Sequence, residues 1–217
     1  MFDNENAFDE TNEKVERRFV FALTVWGIVV ATLGYLKIFQ LFPLPLIAVF
    51  AAAGITIPVV IYFTNSAFRN YVASISYKHL TIFNIWRIPA GAIFLYYGSY
   101  NLLPQQFVIN AGYGDLIIGF IVPIVLMMPE SRWKYVVFHV FGMLDFIVAV
   151  GTGITFTILQ VPLQENIATF PVVLIPLFGV GITGAFHIMT LNRLWHERSF
   201  SLNLPNGIND STMGFKG

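Results

Sequence analysis

From residue 19 onward the chain alternates long apolar runs with short polar breaks, the runs falling at 19–38, 45–64, 80–100, 105–128, 134–159 and 171–192. Each holds roughly the 20 apolar residues that a helix needs to cross a hydrocarbon core about 30 Å thick. They are too long and too continuously apolar for the alternating strands of about ten residues that build a membrane barrel. The pattern predicts an all-α fold, a polytopic bundle of six transmembrane helices over 19–195. An acidic tail, 1–18, precedes it and a mobile tail, 196–217, follows.

Composition sharpens this. The chain is 56% hydrophobic and 11% charged, with a mean hydropathy of +0.70, whereas charged residues make up about 25% of an average soluble domain. Lys plus Arg and Asp plus Glu both number 12, so no basic footprint for nucleic acid exists and the expected partner is the lipid bilayer. The absence of cysteine excludes disulfides, thiolate catalysis, iron–sulfur clusters and Cys-type zinc sites. The acidic start, MFDNENAFDETNEK, does not read as a cleaved signal peptide.

Charge placement predicts orientation, because Lys and Arg are retained on the cytoplasmic side. Lys14, Arg17, Arg18, Arg69, Lys78, Arg132, Lys134, Arg193, Arg198 and Lys216 fall on one side of the six runs, and only Lys37 on the other. Both termini are therefore expected in the cytoplasm. In the connection 66–79, Phe68, Tyr71, Val72 and Ile75 recur at helical spacing between Arg69 and Lys78. That pattern suits an amphipathic linker in contact with anionic lipid, or a short extension of a neighbouring span.

Candidate chemistry is confined to the last four spans. Spans 1 and 2 hold nothing ionisable in their interiors apart from Tyr35 and Tyr62 toward their ends and read as lipid-facing scaffold. Spans 3 to 6 carry Arg87, Asp115, His139 with Asp145, and His187. Each costs at least about 2.5–3.5 kcal/mol at a helix centre on insertion scales, so such residues face the bundle interior and find partners. At about 100° per residue, Asn84 and Gly91 share the face of Arg87, Gly112 and Gly119 that of Asp115, Gly142 and Ala149 that of Asp145, and Thr183 and Gly184 that of His187. Small residues let helix backbones approach closely in lipid, so these four faces are expected to meet. Pro89 has no N–H for the carbonyl of Ile85 and predicts a kink beside Arg87.

Several functions suit this set. Two carboxylates, an arginine and titratable imidazoles can form a pathway for a small solute, an ion or a proton, through Arg87, Asp115, Asp145, His187, Asn84 and His139. Asp115, Asp145, His187 and His139 could instead ligate a metal, and His139 with His187 could hold a haem iron; either would make a membrane-embedded enzyme. A third class is a non-catalytic subunit that packs against a larger membrane complex, or an oligomer, through spans 1 and 2. A plain structural ion pair between Arg87 and a carboxylate is the alternative to all of them. His79 and His196 sit at the cytoplasmic boundary and read as solvated, and tryptophans 86, 133 and 195 as interfacial anchors.

The runs WRIPAG, LLPQQFVINAGYGDLIIG, FGMLDFIVAVGTG and LIPLFGVGITGAFHIMTLNRL resemble a group of uncharacterised six-helix bacterial inner-membrane proteins. The resemblance covers about residues 84–194 and implies a bacterial inner-membrane location. It places Arg87, Asp115, Asp145 and His187 in the shared pattern, with asparagine the expected residue where this chain has His139. It implies neither an activity nor a cofactor.

Overall fold

The computed structural model describes residues 2–202, with side chains over 10–196. Its described residues are helical and turn, with no strand. Helix α1 runs Phe2–Tyr35 without a break between the acidic tail and the first span. It stops at Lys37, whose left-handed backbone leads into a 3₁₀ turn, Ile38–Leu41. Helix α2, Leu44–Thr64, starts behind Pro43. Two short helices follow, α3 (Ser66–Ser74) and α4 (Tyr77–Ile82), capped by the side chains of Asn65 and Ser76. Then come α5 (Arg87–Ser99), α6 (Gln105–Met127), α7 (Arg132–Ile158) and α8 (Val180–Leu202). The predicted mobile tail is helical as far as Leu202; its remainder lies outside the described residues.

Among the described residues, five helices are long and apolar enough to cross a membrane: α1, α2, α6, α7 and the segment Ile175–His196 that includes most of α8. The run predicted as a continuous span at 80–100 is instead a composite of α4, a 3₁₀ turn at Phe83–Trp86 and α5. Two local causes act there. The Asn84 amide donates to the Leu80 carbonyl at 3.0 Å, taking the acceptor that an α-helical turn would use, and Pro89 offers no N–H to Ile85. The last span likewise begins late. Residues 171–173 form turns, and a π-helical stretch, Ile175–Gly179, containing Pro176 precedes α8.

Helix α8 is the axis of the bundle, buried almost continuously from Gly181 to His187. It crosses α2 where Gly181 meets Gly54; a Cβ on Gly181 would lie 3.0 Å from the Gly54 carbonyl group. This corrects the reading of α2 as plain scaffold: its residues are exposed or half-buried apart from Ile47, Ala51 and Tyr62, which are buried, and the Tyr62 hydroxyl donates to Asn192 Oδ1 at 3.1 Å. The apolar face of the 66–79 connection is also turned inward. Phe68, Tyr71 and Val72 pack with Phe186 and Met189 of α8 and Phe19 of α1. Arg193 fixes the connection by donating to the carbonyls of Val72 and Ile75, both at 2.8 Å.

The α6–α7 loop is tied by Glu130, which accepts from Lys134 Nζ at 2.9 Å and from the Tyr135 hydroxyl at 2.7 Å. These bonds, that from Lys134 first, hold its carboxyl below the ordinary glutamate value of 4.5. A folded-state value below the unfolded one stabilises above the unfolded value and ceases to do so as pH falls through the folded one. Glu130→Gln is therefore expected to be less stable than the parent at pH 7. In thermal unfolding the difference should shrink as pH drops below 4.5; a constant difference would show that the charge is not what matters.

A buried charge triad and a histidine pair as candidate functional site

Arg87 opens α5 just after the 3₁₀ turn, which aims its side chain across the bundle rather than along it. The residue is 2% exposed. Its Nε donates to Asp115 Oδ1 at 2.6 Å, and its Nη2 donates to Asp145 Oδ2. One guanidinium thus joins three elements, α5, α6 and α7. Asp115 is brought there by a π-helical turn, Val108–Tyr113, inside α6, a wide turn often found at functional positions. Asp145 reaches Arg87 across Gly114, where a Cβ would run into the Asp145 carboxylate. Further along the same two helices, α6 and α7 are pinned by Asn110 Nδ2 donating to Thr152 Oγ1 at 2.9 Å.

The triad's charges do not balance. With both carboxylates ionised it carries one surplus negative charge, and it is neutral only with one proton or one monovalent cation added. The third donor nitrogen, Arg87 Nη1, is buried without a protein partner. Near it in sequence, the buried Asn84 spends its amide N–H on backbone while its Oδ1 has no partner.

His139 and His187 lie on the cytoplasmic side of the triad in the predicted orientation, one on α7 and one on α8, at 0% and 1% exposure. Their Nδ1 atoms are 2.9 Å apart and their rings meet edge to face. One Nδ1 therefore donates and the other accepts. Both Nε2 atoms and the nearby Thr190 hydroxyl are buried without a protein partner. His187 packs over Gly142, one turn before Asp145; a Cβ there would approach its ring to 2.5 Å.

This geometry works against two expectations. A haem iron would have to sit between the two imidazoles, and their direct bond leaves no space for it. Nor do three His, Asp or Glu side chains converge as metal ligands among the described residues; the carboxylates are engaged by Arg87 and the imidazoles by each other. Trp86 is no interfacial anchor. It is half-buried, donates from Nε1 to Thr183 Oγ1 at 2.9 Å and packs on Gly179. Trp133 and Trp195 are exposed, as are His79 and His196.

Five membrane-length apolar helices around a buried ion triad define a polytopic helical membrane protein. The chain belongs to the DUF8737 family, described as a domain of unknown function, whose profile matches residues 41–195. The matched region starts just before α2 and includes the whole triad and both histidines. No curated protein and no solved structure matches the chain.

Counting charges predicts a stability order. Arg87→Met leaves two carboxylates without a cation, and Asp115→Asn with Asp145→Asn leaves a guanidinium without an anion. Each should cost about 3–5 kcal/mol, the usual penalty for breaking a buried pair. Asp145→Asn alone keeps one balanced pair and should cost much less. Thermal unfolding in mild detergent gives the order; a single Asn variant as unstable as Arg87→Met would show that charge balance is not what holds the site.

Proposed function

We propose that the protein handles a proton or a small solute or ion at the Arg87–Asp115–Asp145 triad, with His187, His139 and Asn84 on its approach. The observation that carries this reading is the permanent cation held between two carboxylates, an arrangement that reaches neutrality only by taking up a mobile positive charge. The unpartnered polar atoms of Asn84, Arg87, His139, His187 and Thr190 support it. Buried polar groups normally find partners, and water or a passing solute would supply them here. A purely structural ion pair needs one carboxylate, not two.

The test uses purified protein in liposomes loaded with a pH dye, under an imposed proton gradient. The parent protein is expected to speed collapse of the gradient, and Asp115→Asn and Asp145→Asn each to return the rate toward that of empty liposomes. A parent rate equal to empty liposomes would remove the proton reading, and the same vesicles with Na⁺ or K⁺ gradients then test the ion reading.

In this reading the composite of α4, the 3₁₀ turn and α5 is the sixth crossing. Six residues of α-helix, four of 3₁₀ and thirteen of α-helix extend about 36 Å at 1.5 and 2.0 Å per residue, enough for a 30 Å core. Six crossings put both termini on one side, and the basic residues support a cytoplasmic side in a bacterial inner membrane. Because the chain has no cysteine, single cysteines report position without background. Cysteines at Gln40, Asn101 and Glu165 should react with an impermeant maleimide from outside intact cells, and those at Ser74 and Glu130 only after permeabilisation. Labelling of Ser74 and Asn101 from the same side would reduce the crossings to five.

A further inference from the structure

A cavity of about 130 Å³ lies on the outer side of the triad, among α2, α5, α6, α7 and the segment leading into α8. An apolar cavity of about 150 Å³ accepts a benzene-sized molecule and stays free of water. Phe94, Phe107 and Phe146 line most of its length. Polar lining is limited to Arg87, Asp115, Thr183 and the indole N–H of Trp86, which Thr183 accepts, and to Thr157 and Gln164.

Most of these groups are already satisfied. Thr157 donates to the Gly153 carbonyl and Thr183 to that of Gly179, while Asp115 accepts from Arg87. Two groups are not. Gln164, in the 3₁₀ turn between α7 and α8, is 1% exposed, and neither its Nε2 nor its Oε1 has a partner. At the other end Arg87 Nη1 is also buried and free. An amide with both atoms buried and unbonded is uncommon in native proteins, and here it faces an apolar space with a second free donor across it.

The cavity's side wall faces the bilayer. Ala52 of α2 and Ile154 of α7 line it and are exposed, and Ala48, Ile55 and Val150 beside them are half-buried. None is charged and all lie inside membrane-length helices. The cavity therefore borders the membrane-facing surface between α2 and α7.

We propose that this cavity binds a small, uncharged, mostly apolar molecule drawn from the bilayer, with an oxygen at each end. One oxygen accepts from Arg87 Nη1, and the other, a hydroxyl or carbonyl, meets the Gln164 amide. Phe146 and Gly153, both lining, are seven residues apart on α7, about 10 Å at 1.5 Å per residue, which suits a single substituted ring. The surplus negative charge of the triad disfavours an anion, and the phenylalanine lining disfavours a hydrated cation. An aryl carbonyl compound fits both constraints. The site shares Arg87 and Asp115 with the triad but does not rest on proton or ion exchange there, and Asp145 is not part of its lining.

The test is equilibrium dialysis of methyl 4-hydroxybenzoate, and of 4-ethyltoluene as its apolar counterpart, between nanodiscs holding the full chain and empty nanodiscs. Saturable uptake of one ester per chain is expected, with the ester held more tightly than the hydrocarbon. Gln164→Leu should weaken ester binding roughly 3- to 10-fold, the loss of one or two hydrogen bonds, and leave the hydrocarbon unaffected. Ala51→Phe, which fills the cavity, should abolish both. Asp145→Asn should bind the ester as the parent does even where proton flux is lost, so the two readings fail separately. Ester uptake no greater than in empty nanodiscs, or equal affinity for ester and hydrocarbon in the parent protein, overturns the proposal without reliance on any variant.

Discussion

In hydrocarbon a full charge has to be paired or neutralised, and the bonds from Arg87 to Asp115 and Asp145 tie the charges of three helices together. Their geometry dictates much around them. The 3₁₀ turn ahead of α5 sets the direction of the guanidinium, the π-helical turn in α6 presents Asp115, and Gly114 makes room for Asp145. Each is a departure from regular α-helix or from a normal side chain, and each lies beside a member of the triad. A bundle built only to pack would be more stable with apolar residues of similar volume, since buried ion pairs seldom repay their desolvation.

The polar atoms are divided unevenly along the bundle. On one side of the triad lie the histidine pair, Thr190 and Asn84, with several buried atoms unbonded by protein. On the other the cavity is walled by phenylalanine and small aliphatic residues, with only Gln164 unpaired at its far end. Arg87 stands where the two meet. The family profile spans both sides, from before α2 to residue 195.

Much of this is written in the residues. Apolar length reveals the helices, and the rarity of charge in such runs picks out Arg87, Asp115, Asp145, His139 and His187. Small residues around each mark the faces that pack. Other features carry no such signal. Gln164 is one polar residue in an outer loop of the kind expected to face water, and only the fold buries it. Trp86 reads as an interfacial ring because tryptophan is enriched there, yet Thr183 and Gly179 of another segment draw it inside. The nearest hint of a cavity beside α2 is the run AVFAAAG, whose small side chains leave space without saying what fills it.

Sequence by itself determined the class of molecule and its charged set, because hydrophobic length and the cost of buried charge are properties of single segments in a known solvent. Tertiary structure decided who pairs with whom. That Arg87 takes both carboxylates, that the histidines bond each other, and that the run at 80–100 breaks into three pieces all depend on distances between helices. Those distances follow from contacts such as Gly54 on Gly181, where the absence of a side chain matters only once the opposing backbone is present.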